Sequence, residues 1–237
     1  MNLLLLEPAD FIAGDRVRLS GRRLTHMQDV HRVQSGDSLR VGLVGGMMGT
    51  GTVTELSATF AELEVSLSLA PPPKLPLTLL VALPRPKMLK RILQTVATMG
   101  VARLIFVNSY RVEKSFWQTP FLTPEAIRHE LLLGLEQARD TVLPEVMIEK
   151  RFKPFVEDRL PALIANTHNL LAHPGDYPPC PQALAHHQAI TLAIGPEGGW
   201  IEYEVQKLQE AGFDPVSLGA RILRVETAVT ALIARLY

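Results

Sequence analysis

The spacing of apolar positions changes part-way along the chain. Up to about residue 70, apolar and polar side chains alternate in short runs: Val17-Arg18-Leu19, Leu39-Arg40-Val41-Gly42-Leu43, Gly51 to Leu56 and Ala61 to Leu69. Ala13-Gly14-Asp15, Ser35-Gly36-Asp37 and Gly45-Gly46 separate them. Period-two runs with such punctuation predict a small antiparallel barrel or sheet. The glycine-rich stretch Gly45 to Gly51 reads as a hairpin loop within it. Pro71-Pro72-Pro73 then interrupts the pattern as a stiff, extended connector. This places one domain at 1–70 and another at 74–237.

Beyond the prolines, apolar runs alternate with helical periods. Leu77 to Leu83, Leu104 to Val107, Asn169 to Ala172 and Ile190 to Ile194 read as buried strands, and a further short strand ends at Gly219. Lys87 to Met99 sets Met88, Ile92, Val96 and Met99 on one helical face and stops at Gly100. Further helices are expected over Pro124 to Arg139, Trp200 to Ala211 and Glu226 to Leu236. Apolar strands between helices imply an α/β domain with a parallel sheet covered on both faces.

Composition narrows the function classes. Of 237 residues, 47% are apolar and 20% charged, enough for a packed core. The 24 basic and 24 acidic side chains cancel, so a uniformly basic nucleic-acid binder is excluded but a local basic face is not. Glu64 and Glu113 bracket a stretch without acids that carries Lys74, Arg85, Lys87, Lys90, Arg91, Arg103 and Arg111. Arg16, Arg18, Arg22, Arg23, Arg32 and Arg40 add to the basic N-terminal region. Clustered bases of this kind are the footprint of a phosphate-binding face, although Lys87, Lys90 and Arg91 also fit a solvated helix face. The lone Cys180, between prolines, excludes a disulfide framework or a multi-cysteine zinc site and suits a reducing cytoplasm. The histidines, including adjacent His186 and His187, lack metal spacing, so no metal is expected. No apolar run approaches membrane-spanning length, and Met1 to Asp10 does not read as a signal peptide.

Two segments carry candidate chemistry. In Ala193-Ile194-Gly195-Pro196-Glu197-Gly198-Gly199-Trp200 a buried strand ends in a glycine-rich turn that opens a helix. Such a turn lets the backbone approach a ligand and aim free amides at it. Its spacing is neither the dinucleotide fingerprint nor a phosphate loop, and an ordinary strand-to-helix turn would also fit. In Leu218-Gly219-Ala220-Arg221-Ile222-Leu223-Arg224-Val225-Glu226-Thr227-Ala228 a loop with two arginines feeds the last helix. Arginine there can grip phosphate or stabilise developing negative charge. Glu226 can serve chemistry or simply complement the helix dipole. Glu136, Gln137, Arg139 and Asp140 form either a polar site cluster or an exposed helix end.

Together the two segments resemble the RsmE family of ribosomal RNA uridine-N3 methyltransferases. Ile194-Gly195-Pro196-Glu197-Gly198-Gly199 is similar to the family's glycine-rich motif, and Leu218-Gly219 followed by Arg221 to Ala228 to its closing motif. The likeness extends weakly to His26–Asp37 and to Glu136-Gln137. Three departures stand out: Val225 where the family has Thr, Thr98-Met99-Gly100 for Glu-Leu-Gly, and Ala138-Arg139-Asp140 for Ser-Gly-Arg.

The resemblance implies a SPOUT-type parallel sheet with a C-terminal trefoil knot behind a PUA-like RNA-binding β-barrel. It implies S-adenosyl-L-methionine as cofactor, a homodimer, and ribosomal RNA or the small ribosomal subunit as partner. Leu171, Ala172, His173, Ile194, Gly195, Pro196, Glu197, Gly199, Leu218, Gly219, Ile222, Leu223 and Thr227 would then hold the cofactor. Arg224 would stabilise the uridine anion or grip phosphate, with Glu226 as proton acceptor or as the group that orients Arg224. RNA contacts are expected at Arg16, Arg22, Arg23, Arg32, Lys87 and Lys90. A methyltransferase for another RNA, or a catalytically silent RNA-binding protein, are the rival classes.

Overall fold

The computed structural model describes residues 2–29, 32–185 and 187–237. Val30 and His31, within the His26–Asp37 stretch, and His186 lie outside the described residues. The chain divides into two compact units. One holds the residues through Pro73 together with Leu132–Leu143, and the other holds Lys74–Leu131 and Pro144–Tyr237. The long helix that ends near residue 138 therefore contributes its last turns to the first unit.

The first unit is built on strands β1 (Leu4–Leu6), β2 (Phe11–Ala13), β3 (Arg16–Leu19), β4 (Ser38–Leu43), β5 (Met48–Leu56) and β6 (Ala61–Leu69). Their order in the sheet is β1-β4-β5-β6-β3-β2. In β3 the alternation works as the pattern predicts: Val17 and Leu19 are buried and Arg16 and Arg18 face out. The sheet is mixed, not purely antiparallel, because β1 pairs parallel with β4. The leucines of β1 are all buried, so they show no alternation to read. Helix α1 (Gly21–Asp29) is absent from the sequence reading, since only Leu24 and Met27 are buried on it. Both join a core with Leu6, Val41, Val53 and Leu63. The expected glycine-rich hairpin loop is shorter than drawn, because Gly49 and Gly51 lie inside β5. A Cβ on Gly49 would stand 1.8 Å from the Ser66 carbonyl oxygen, so only glycine allows β5 and β6 to approach there.

The second unit carries an all-parallel six-stranded sheet. Its strands are β7 (Leu75–Ala82), β8 (Val101–Val107), β9 (Glu145–Glu149), β10 (His168–Ala172), β11 (Ile190–Ile194) and β12 (Asp214–Val216), ordered β12-β10-β11-β7-β8-β9. Its helices are α2 (Pro86–Thr98), α3 (Pro124–Ala138), α4 (Phe152–Pro154), α5 (Leu160–Ile164), α6 (Glu202–Glu210) and α7 (Val225–Leu236), with a π-helical turn at Phe155–Arg159. Central β11 is buried throughout, as its unbroken apolar run requires. Helix α2 packs on β8, α7 on β11, and the two helices touch each other.

The pattern misplaces one strand here. β12 ends at Val216, three residues before Gly219, and residues after it form a loop. Its Pro215 removes a ladder donor, which the sheet tolerates because β12 is an edge strand. Edge strand β9, flanked by Glu145 and Glu149, and the proline- and aromatic-rich turns from Phe152 to Ile164 lack a clean period and escape the reading.

Candidate active site at the strand ends

Three loops leave the carboxyl ends of neighbouring strands and meet around one cavity of about 370 Å³. β10 ends at Ala172 and is followed by His173 and Pro174, Gly195 to Trp200 follow β11, and Leu218 to Leu223 follow β12. Val225, Ala228 and Leu232 of α7 line it as well. The strand ends of an open parallel sheet are where ligands bind, because loops with free backbone groups converge there.

The β11 loop has its shape for steric reasons. A Cβ on Gly195 would meet the Trp200 backbone nitrogen at 3.0 Å and the Trp200 ring at 3.1 Å. Gly199 has φ +77°, a left-handed conformation that favours glycine. Arg111 donates from its guanidinium to the Gly198 carbonyl. The Arg85 backbone N–H donates to Glu197 Oε1 at 3.2 Å. The loop is thus fastened from outside at consecutive residues.

Beneath it, Glu204 on α6 is 2% exposed. Its carboxylate accepts from Ser109 Oγ at 3.0 Å, the Tyr110 N–H at 2.7 Å and the Ile201 N–H at 3.1 Å. One buried acid therefore ties the loop after β8 to the start of α6, with its charge met by several donors.

Among the described residues that line the cavity, two buried side-chain nitrogens have no hydrogen-bond partner: His173 Nδ1 and Trp200 Nε1. Buried nitrogens left unpaired cost free energy. Burial, and then the nearby Arg111 guanidinium, push the His173 imidazole below its usual pKa. At neutral pH it is therefore uncharged. An apolar wall of Ile194, Leu218, Ile222, Leu223 and Val225, two unspent nitrogens and a glycine loop suit a flat heterocycle with a polar edge.

Comparison with known proteins gives this geometry a lineage. Residues 71–237 match the family model of the RNA methyltransferase domain. A ribosomal RNA small subunit methyltransferase E of Treponema pallidum is 30% identical over 99% of this chain and 90% of its own length. The chain belongs to this RNA methyltransferase family. A second relative of that name, from Synechocystis, is 30% identical over 98% of the chain and 76% of its own length. Among solved structures, the Neisseria gonorrhoeae methyltransferase E bound to S-adenosyl methionine superposes with a TM-score of 0.76 at 25% identity. That match covers 99% of this chain and 95% of the other.

Within this family frame, the expected residues separate into groups. Ala172, His173, Ile194, Gly195, Pro196, Glu197, Gly199, Leu218, Gly219, Ile222 and Leu223 all line the cavity. Leu171 is fully buried in β10 and Thr227 is exposed on α7, and neither lines it. Arg224 is exposed at the N-cap of α7, between Leu223 and Val225, which do line the cavity. Glu226 follows in the first turn. The sequence reading passed over Trp200, Pro174 and Glu204, and it counted Arg111 only as one of a run of bases. The Trp200 position directly after the glycines was the available signal.

The expected RNA-contacting arginines are mostly engaged elsewhere. Arg16 and Arg18 converge on Glu62, Arg22 pairs with Glu136 at 2.6 Å, and Arg23 pairs with Asp10 at 2.6 Å. Glu62, Glu136 and Asp10 are all buried, so these arginines are counter-ions first. Arg32 is exposed. Lys87 is exposed on α2, while Lys90 pairs with Glu130 at 3.6 Å and stands 3.9 Å from the Phe121 ring centre. Part of the acid-free stretch is likewise met by acids distant in sequence: Glu130, Glu145 and Glu197 pair with Lys90, Arg103 and Arg85. Among the described residues no histidine, cysteine and carboxylate cluster forms a metal site, and no helix is long and apolar enough to cross a membrane.

Proposed function

We propose that this chain is an S-adenosyl-L-methionine-dependent methyltransferase that methylates N3 of a uridine in 16S ribosomal RNA and works as a homodimer. The observation that carries the reading is the cavity at the ends of β10, β11 and β12, with His173 Nδ1 and Trp200 Nε1 unspent beside an apolar wall. The residues present fit the cofactor. Ile194, Leu218, Leu223 and Val225 can sandwich an adenine, the glycine loop can offer backbone groups to its edge, and the two free nitrogens can meet its polar atoms. The kinship with the methyltransferase E of Neisseria gonorrhoeae, which binds that cofactor, supports the same choice. We also infer the trefoil knot and the PUA-like character of the N-terminal unit from that kinship.

The bound cofactor would supply an electrophilic methyl group on a sulfonium. The chain must hold the acceptor nitrogen in line with that methyl, and alignment alone can supply several kcal/mol of the barrier. Uridine N3 lies on the pairing edge, so the base must be unpaired and splayed out to reach the cavity. Its proton must leave and the resulting anion be stabilised. Arg224, at the N-cap of α7 between Leu223 and Val225, would do that. Glu226, one residue into the helix, takes the proton or orients the arginine. The exposure of Ile222 (81%) and Leu223 (37%) on the same loop supports a partner that covers the site.

Mapping methylated uridine by mass spectrometry in ribosomal RNA from cells with and without the protein tests the reading. Loss of one N3-methyluridine is expected, and an unchanged modification pattern would overturn it.

A further inference from the structure

The first unit contains a second cleft of about 280 Å³ that nothing in the methyl-transfer chemistry uses. It opens among the N-terminal residues, α1, β4 and the segment just after α3. Arg40, Arg139, His26, Ser38 and Asn2 line it beside apolar residues that include Leu4 and Met27. Ser38 and Arg40 lie two apart on β4 and so face the same way.

The ion pairs of this unit single the cleft out. Arg16, Arg18, Arg22 and Arg23 are each committed to a buried carboxylate. Arg40 and Arg139 are exposed, and neither has an acidic partner among the described residues. Of the acids close to these two arginines in sequence, Glu136 is paired with Arg22, while Asp37 accepts the Gln34 N–H and Asp140 the Val142 N–H. Two guanidinium groups thus border one concave space of mixed polar and apolar lining, and among the described residues neither is held in an ion pair.

The backbone adds an independent observation. Arg139 sits at φ +58°, where glycine is ordinary and arginine is not. The Asp140 N–H bonds the Leu135 carbonyl at 3.2 Å, which makes Arg139 the left-handed residue of a helix-closing motif. A strained residue whose side chain borders a cleft points from geometry to use. Asn2 and Leu3 donate their backbone N–H groups to the Glu136 carbonyl at 3.1 Å, so the N-terminal segment is pinned against the same helix end.

Resting on the reading that this chain acts on RNA, we infer that this cleft seats a backbone phosphodiester of the substrate, gripped by Arg40 and Arg139. Planar guanidinium forks match phosphate oxygens in a two-pronged way, and such contacts position an RNA without reading its sequence. Arg16, Arg18, Arg22 and Arg23 would then contribute little, because each is already paired with a carboxylate.

The test uses the full chain and a small-subunit ribosomal RNA fragment, with affinity measured from low to moderate salt. Arg40→Ala and Arg139→Gly should each weaken binding about tenfold. Each should also flatten the logarithmic salt dependence by about 0.7 to 0.9 for every phosphate that is no longer neutralised. Cofactor affinity should not change. Arg139→Gly places glycine where the backbone favours it, so its thermal midpoint should hold or rise and weaker binding cannot be misfolding. Both variants binding RNA within twofold of the parent, with the same salt slope, would overturn the assignment. So would uridine monophosphate or inorganic phosphate displacing the RNA at concentrations comparable to the RNA itself, since the seat would then serve a small anion. A parent protein that binds cofactor but no RNA would fail the underlying reading instead.

Discussion

Gly195 and Trp200 are in contact across the turn that separates them: a Cβ on Gly195 would come within 3.2 Å of the Trp200 Nε1 nitrogen as well as crowding its backbone. Trp200 is 3% exposed, and its ring lies 5.9 Å from that of Phe152. It has little room to retreat. The turn therefore holds one of the two unspent nitrogens of the cavity in place by allowing no side chain opposite it.

Gly195→Ala should displace Trp200 and with it the loop. Overpacking of this kind costs about 1–3 kcal/mol, so the thermal midpoint should fall by several degrees. The more specific effect is on the ligand. In the parent, S-adenosylmethionine at 100 times its Kd should stabilise the fold by about 2.7 kcal/mol. In the variant that increment should largely vanish in a melting experiment. A variant that melts lower but keeps the full ligand increment would show that Trp200 does not touch the cofactor.

The His173 imidazole should respond to Arg111. Burial and then the guanidinium lower its pKa in the folded state. Between that lowered value and the ordinary value near 6.5, the unfolded chain binds a proton and the folded one does not. Stability therefore rises with pH through this window and levels off above it. Arg111→Gln should move the His173 midpoint upward, by the guanidinium's share only, in a proton NMR titration. The same substitution removes the hold on the Gly198 carbonyl, so cofactor affinity should fall as well.

How far the sequence carries depends on whether a feature is local. β11 could be read because all its residues are buried and the run stands alone between turns. The glycine loop was visible because glycines spell out a backbone requirement. β1 was not, since three leucines buried together lack a period, and α1 was not, since two buried positions are too few. The site failed in the same way where it depended on distance. Glu204 matters because Ser109 and Tyr110 come to it from the loop after β8, and no local pattern announces that meeting. The basic region depends on distance too. Arg22 looked free in sequence, but its partner Glu136 lies 114 residues away.

Glu62 provides a stability test of that arrangement. Hydrogen bonds from Arg18 and then Arg16 hold its carboxyl below the usual carboxylate value. A lowered carboxylate stabilises the fold above the unfolded value of about 4.5, and that stabilisation is lost as pH falls through the folded value. Urea unfolding from pH 6 down to pH 3 should therefore show the parent losing stability more steeply than Glu62→Gln. Parallel curves for the two proteins would mean the arginines do not engage Glu62 in solution.

The sharpest functional prediction concerns Arg224. It caps α7, stands in solvent, and has neighbours on both sides that line the cavity. No ion pair to it is found among the described residues, so removing it strands no buried charge, unlike removing Arg22 or Arg23. Arg224→Ala should fold with an unchanged melting midpoint. If the guanidinium meets negative charge that develops on the uridine, its loss should cut single-turnover methylation by orders of magnitude. RNA affinity should stay within a few-fold, because an interaction made chiefly in the transition state changes rate more than binding. Cofactor affinity should also hold, since Arg224 itself does not line the cavity. The opposite result, abolished RNA affinity with the parental rate at saturating RNA, would make Arg224 a phosphate grip and leave the anion to another donor.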